Sequence, residues 1–227
     1  MITLKSGESA PLSGTLFLSM YLCLFSLSAP DLAQTATVKN AVNQDIKAFF
    51  KGTRKTVLTF VGYSGAGYED DALLRKHAEV ILGEFDPVKT IVNIGATPEG
   101  IGAIYEMAKR KGFITTGIVS SQARQHNVKL SHFVDHVFYV EDAAWGGFVA
   151  GTKELSPTSK AMVENSDIIV GIGGGEVARD EIISAKRLGK KVRFIPADMN
   201  HQKARDSARK KQQPEPSDFR GAANAAF

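Results

Sequence analysis

An apolar, β-branched segment ends in three consecutive glycines, Gly173, Gly174 and Gly175. A helical pattern follows directly, so this order predicts a strand, a tight turn and a helix. The N–H groups at the N-terminus of such a helix bind anions, phosphate above all. Glu181 falls one to two turns into the helix, where a carboxylate is placed to bond the hydroxyls of a sugar or to act in chemistry on it. The alternative is a solvated helix acid that pairs with Arg179 or Lys186.

Two earlier turns repeat the order of strand, glycines and helix. The candidate binding residues in the first turn are Gly62, Ser64 and Gly65, and in the second they are Gly95, Thr97, Gly100 and Gly102. Glycine permits close approach of a ligand to the backbone, and a hydroxyl such as that of Ser64 adds a donor for phosphate or ribose. Because the carboxyl ends of parallel strands meet at one edge of a sheet, we expect the three turns to form one nucleotide site. Steric needs of a tight turn or of a well-packed helix explain the same glycines without a ligand.

Other kinds of site find less support. The chain contains no GxxxxGK[ST] motif, and its first turn is not a complete GxGxxG, which argues against a P-loop ATPase and an NAD-binding fingerprint. His126, His132 and His136 lie in a loop-rich region without a recognised ligand spacing, and the single Cys23 excludes a cysteine cluster, so no metal site is predicted. The aromatic segment 145–148 is interpreted either as a lid over a base or as a packing corner.

Strands and helices alternate regularly from residue 55 onward. The pattern predicts strands at 56–61, 90–94, 113–119, 137–140, 167–172 and 192–196, with helices at 70–85, 103–111, 157–165 and from the triple glycine to about 188. The strands lack polar alternation, which is typical of a sheet covered by helices on both faces. We therefore predict an α/β fold with a doubly wound, mainly parallel sheet, in a single domain with flexible termini.

Four segments divide the chain. Residues 1–36 form an apolar N-terminal segment, 37–54 a lead helix or linker, 55–201 the nucleotide-binding domain and 202–227 a basic disordered tail. The uncharged run 16–27 resembles the core of a secretory signal, although Glu8 before it does not fit, and a packed helix or a non-native extension are the alternatives. We expect a cytoplasmic protein, or an exported one if residues 1–28 act as a signal peptide, and membrane attachment only if this segment is an anchor.

Composition and charge fit one globular domain. The chain has 227 residues, 43% of them hydrophobic, and a net charge of +4. Residues 201–227 hold six Lys or Arg residues against three acids, so the remainder is close to neutral. The charge therefore does not favour nucleic acid as a partner.

The three turns together resemble the SLOG superfamily, which unites the lysine-decarboxylase-like ("Lonely guy") nucleotide phosphoribohydrolases, the molybdenum-cofactor carrier proteins and the DNA-processing protein A fold. The resemblance covers about residues 56–197. The Gly-Ser-Ser loop of that group corresponds to 62–65, its GGxxxGLMG loop to 95–102, and its PGGxGTxxE signature to 173–181. The resemblance implies a Rossmann-like fold and places Glu181 at the catalytic glutamate of the hydrolases.

This chain departs from the hydrolase pattern at the groups that cleavage uses. Val177 and Ala178 replace a glycine and a threonine that hold the phosphate, Gly173 replaces a proline, and of the HxRK segment only Lys160 remains basic. The resemblance therefore implies a carrier-like or sensor-like protein that binds a nucleotide or a pterin-phosphate type of ligand. The alternatives are a nucleoside 5'-monophosphate N-glycosidase that uses Glu181 and Lys160, and DNA binding through the basic tail. A homo-oligomer is expected by analogy with related folds.

Overall fold

A computed structural model gives the fold of residues 36–227, which are the residues described below. They form one parallel sheet of seven strands: β1 Thr37–Asn40, β2 Thr56–Gly62, β3 Thr90–Ile94, β4 Ile114–Ser120, β5 His136–Val140, β6 Ile168–Ile172 and β7 Lys191–Ile195. Their order across the sheet is β1-β5-β4-β3-β2-β6-β7. The prediction of a doubly wound α/β fold is confirmed.

Helices cover both faces of this sheet. The described helices are α1 Asn43–Thr53, α2 Asp71–Gly83, α3 Ala103–Arg110, α4 Gln122–Gln125, α5 Pro157–Glu164, α6 Glu176–Arg187 and α7 His201–Lys210, with short 3-10 helices at Gly100–Gly102 and Ala222–Ala226. Helices α2 and α3 share one apolar core with the sheet, and α1, α5 and α6 share the cores of the opposite face. Because the central strands are buried on both faces of the sheet, their sequences are nearly continuous apolar runs.

A buried polar network ties three strands to α5. The Asn93 amide donates to the Thr59 hydroxyl at 3.2 Å and to the Met162 sulfur at 2.9 Å, while the Thr116 hydroxyl donates to the Asn93 carbonyl oxygen at 3.0 Å. Ser166 completes the network with a 2.6 Å hydrogen bond to Thr59. Because fully paired buried polar groups specify one arrangement, this network fixes α5 against β2, β3 and β4.

The chain reverses its direction of winding between β2 and β6. From β2 it crosses through α2 to β3 on one side, and from β6 it crosses through α6 to β7 on the other side. Such a reversal opens a crevice beyond the carboxyl ends of the two strands, where ligands of doubly wound sheets bind. The Tyr68 hydroxyl bridges the strands here, since it donates to the Ile172 carbonyl at 2.7 Å and accepts from the Tyr63 N–H at 3.2 Å.

The predicted lead helix or linker over residues 37–54 contains a strand as well as a helix. Residues 37–40 form β1, which pairs with β5 at the edge of the sheet, and α1 follows with Ile46 and Phe50 buried. All four β1 residues are exposed. An exposed edge strand carries no apolar pattern, which is why the sequence did not indicate it.

The structure also differs from the predicted disordered tail over residues 202–227. Helix α7 begins after Asn200, whose side chain accepts from the Lys203 N–H, and His201 stacks on Phe219 with ring centroids 3.9 Å apart. Beyond α7 the chain returns to α6, where the Ala223 N–H donates to the Gly174 carbonyl at 2.9 Å. These are caps, ring stacking and backbone bonds, none of which leaves a hydrophobic period in the sequence.

The predicted apolar segment of residues 1–36, with its signal-peptide alternative, lies outside the described residues apart from Ala36. No helix within residues 36–227 combines the length and the apolar character needed to cross a membrane.

Tyr68→Phe tests the bridge at the crevice. The substitution leaves the buried Ile172 carbonyl and the Tyr63 N–H without this partner, so we expect the free energy of unfolding to fall by about 2 kcal/mol. Denaturant titration measures the change. Tyr139→Phe is the control, because Tyr139 is also a buried residue but its hydroxyl makes no hydrogen bond to a described residue, and a loss no larger than in this control contradicts the bridge.

Candidate functional site

A cavity of about 920 Å³ opens at the crevice. Its walls come from the carboxyl ends of β2, β3 and β4, from the N-terminus of α6 and from the loop that carries Trp145. Among the predicted site residues, its lining includes Gly62, Ser64, Gly65, Gly95, Thr97, Gly175 and Glu181. The structure therefore brings parts of all three glycine turns to one space.

The other predicted glycines lie outside the lining and shape the loops behind it: Gly100, Gly102, Gly173 and Gly174. A Cβ at Gly102 would overlap the Thr97 carbonyl, and one at Gly174 would lie 2.6 Å from the Ala178 Cβ. Gly174 also has a φ of +130°, which favours glycine over any other residue. Packing alone accounts for these glycines.

Gly65, Gly95 and Gly175 have no such reason to be glycine. No described atom lies within 4 Å of the place that a Cβ would take at any of the three, and none of them has a positive φ. All three line the cavity. Their missing side chains leave open space in front of the backbone, and nothing in the described fold uses that space.

Free backbone donors surround the same space. At the start of α6 the N–H groups of residues 176–178 have no partner among the described residues, and the first N–H of the helix that is bonded is that of Arg179, which donates to the Gly175 carbonyl at 3.0 Å. The N–H groups of residues 64–66 after β2 are likewise free within the described part of the chain. Unpaired N–H groups and the positive end of the helix dipole attract an anion.

Glu181 is the one buried carboxyl in the lining. It is 5% exposed, and its Oε1 accepts a 2.6 Å hydrogen bond from the Ser159 hydroxyl on α5. Burial raises the pKa of Glu181 to about 7; the Ser159 hydrogen bond opposes that rise and the negative charge of Asp180 adds to it. The side chain is therefore able to hold or release a proton near neutral pH.

Ser159 and Asp180 were not indicated by the sequence as site residues, yet both fasten the loop that carries Trp145. The Gly147 N–H donates to the Ser159 hydroxyl at 2.7 Å, and the Phe148 N–H donates to the Asp180 carboxylate at 2.8 Å. Ser159 therefore connects this loop to Glu181 through one hydroxyl. The partners come from separate elements, so no local motif could have identified them.

The predicted second catalytic group does not reach the cavity. The Lys160 side chain is 57% exposed and lies 3.9 Å from the Glu164 carboxylate on its own helix. The Arg179 guanidinium pairs with Asp180 at 2.9 Å and is likewise absent from the lining. Among the cavity walls described, Lys129 is the one basic side chain.

The histidines and acids of the 126–142 region have contacts of their own. His126 stacks on Trp145 at 5.6 Å between ring centroids, and Asp142 accepts from the Ser156 hydroxyl and the Thr158 N–H, each at 2.8 Å. Burial alone would raise the pKa of Asp142, but these bonds and that from the Ala144 N–H hold it below its ordinary value. Within residues 36–227 no three His, Cys, Asp or Glu side chains are grouped to hold a metal ion.

Glu181→Gln should remove a pH dependence of stability. Between the ordinary pKa of 4.5 and the folded value of about 7, the Glu181 carboxyl is ionised in the unfolded protein but protonated in the folded one. The free energy of unfolding therefore falls as pH rises through this window. The shift corresponds to about 3 kcal/mol, and we expect the variant to be more stable than the wild type at pH 8 but not at pH 4.

Denaturant titrations at both pH values measure that difference. The comparison is made against Glu176→Gln, since the Glu176 side chain is 80% exposed on the same helix. Equal stability of wild type and Glu181→Gln at both pH values would show that the carboxyl is not held in a desolvated site.

No protein-family model and no curated protein matches the chain. The protein TM1055, solved in a structural genomics programme, is similar in structure, with 20% identity and a TM-score of 0.44 over 60% of this chain and 72% of that one. Two structures of the molybdenum cofactor carrier protein from Chlamydomonas reinhardtii are also similar. One has 17% identity and a TM-score of 0.46 over 62% of this chain and 76% of that one. The other has 18% identity and a TM-score of 0.44 over 63% and 76%.

Proposed function

We propose that this protein binds a nucleotide or a nucleotide-derived ligand, including the pterin-phosphate type, and acts as a carrier or a sensor. The observation that carries the proposal is the set of glycines at 65, 95 and 175, which border the cavity and for which the described fold has no steric need. Glycine at such positions permits close approach of a ligand to the backbone.

The phosphate end of the ligand belongs at the start of α6. The free N–H groups of residues 176–178 and of residues 64–66 border the cavity there, and the Ser64 hydroxyl adds a further donor. Backbone donors at a helix N-terminus bind phosphate, with or without a cationic side chain beside it. Such a site suits a chain that has Val177 and Ala178 where the hydrolases have glycine and threonine.

The base or ring system has an apolar wall. Val119, Ala123 and Leu130 line the cavity together with Trp145, which is 51% exposed. A volume of about 920 Å³ is within the range of cavities that hold cofactor-sized ligands. A flat ring fits against such a wall, and Trp145, which stacks on His126, borders the same space.

Gly175→Val tests the proposal by filling the space in front of the α6 N-terminus. A Cβ fits there without contact, so we expect stability to change by less than about 1 kcal/mol while affinity for AMP, GMP or ADP-ribose falls at least tenfold. Titration calorimetry of both proteins measures the affinities. Gly83→Val is the matched control, since Gly83 is another glycine with no described atom within 4 Å of its Cβ position and lies outside the cavity. Absence of binding by the folded wild type at millimolar ligand would contradict the proposal.

Cleavage of an N-glycosidic bond is the second candidate, and Glu181 is the observation that favours it. A buried carboxyl with a pKa of about 7 can take a proton from an attacking water or give one to a leaving base. Against it stand the positions of Lys160 and Arg179, which leave the cavity without the predicted cationic partner.

Assay of free base released from AMP decides between the two candidates. An N-glycosidase would release adenine at a rate that Glu181→Gln lowers at least a hundredfold and that changes with an inflection near pH 7. A carrier or sensor would bind AMP in the calorimeter while releasing no more base than buffer does, in wild type and variant alike.

A further inference from the structure

The N-terminus of α7 is fastened to the loop that follows β2. The Asn200 N–H donates to the Gly67 carbonyl at 3.2 Å, and Tyr68 and Met199 form an antiparallel bridge. The Asn200 side chain also accepts from the Lys203 N–H at 3.0 Å and so caps the helix. Helix α7 is therefore held against a loop that lines the cavity.

Lys203 extends from the first turn of α7 across this loop. Its ammonium donates to the Gly65 carbonyl at 3.2 Å and lies 3.7 Å from the Glu99 carboxylate. Gly65 and Glu99 both line the cavity. A cation from the C-terminal helix therefore stands at the rim of the site, outside the segment that carries the sequence resemblance.

The Glu99 carboxylate lies beside the Lys203 ammonium, where the phosphate of a ligand could lie instead. The lining contains three carboxylates, Glu99, Glu176 and Glu181, but Lys129 is its one described basic side chain. The Lys203–Glu99 pair is exposed by 52% and 63%, so it contributes little to stability and separates readily. A phosphate that replaced Glu99 would gain a charge-assisted hydrogen bond from Lys203.

We propose that Lys203 is a ligand-binding residue, which releases Glu99 on binding and takes the phosphate of the nucleotide instead. The inference rests on the function proposed above and adds to it a cationic contact, supplied by α7. Glu99 then acts as a built-in competitor that weakens the binding of every phosphate ligand at this rim.

Titration calorimetry of four variants with ADP-ribose and with AMP tests this role. We expect Lys203→Met to weaken binding about tenfold at low salt, and Lys203→Arg to retain most of it. Glu99→Gln should tighten binding about threefold, because it removes the competitor. Lys210→Met is the matched control, since it removes the same charge from an exposed lysine that lies two turns further along α7.

The outcomes separate the two proposals. If the wild type and Glu99→Gln both fail to bind, the nucleotide function is overturned, and the role of Lys203 falls with it. If the wild type binds and Lys203→Met binds as well as Lys210→Met, the role of Lys203 alone is overturned. An unchanged affinity in Glu99→Gln would also overturn it, because removal of Glu99 tightens binding only if Glu99 and the phosphate compete for Lys203.

Discussion

The neighbouring positions of β2 and β6 are the constraint on which the rest of the structure depends. Because the chain leaves these two strands in opposite directions, their carboxyl ends border an open crevice that no crossover helix fills. The Tyr68 hydroxyl links the two strand ends, and it donates to the Ile172 carbonyl at 2.7 Å. The free N–H groups after β2 and at the start of α6 then face the same space, which is why a single cavity collects parts of all three glycine turns.

The burial of the Glu181 carboxyl with no cation beside it lowers the stability of the folded protein. Glu181 is buried, shares one hydroxyl with the Trp145 loop through Ser159, and lies beside a second acid, Asp180. An ion pair would have lowered the cost of burying it, but the nearby Arg179 is taken by Asp180. Carboxyls with a pKa raised by burial cluster at functional sites, and this is the reason that Glu181 is proposed to bond a hydroxyl of the ligand or to move a proton.

The glycine-rich turns and the strand–helix alternation were predictable from sequence because each depends on local order. The edge strand β1 was not, since its residues 37–40 are exposed on both sides, and neither was α7, which is held by the Asn200 cap and the His201–Phe219 stack. Sequence also could not separate Gly102 from Gly175. The first is glycine because of a carbonyl that the fold places against it, whereas the second has open space before it, and only tertiary neighbours reveal that difference.

The central claim is that a phosphate-bearing ligand lies against the glycine rim, and amide chemical shifts test it most directly. In a titration of ¹⁵N-labelled protein with ADP-ribose, the account predicts the largest shifts at the amides of Gly65, Gly95 and Gly175 and in the first turn of α6. Amides of the packing glycines Gly102 and Gly174 should move less. Shifts confined to the opposite edge of the sheet, or none at millimolar ligand, would contradict it.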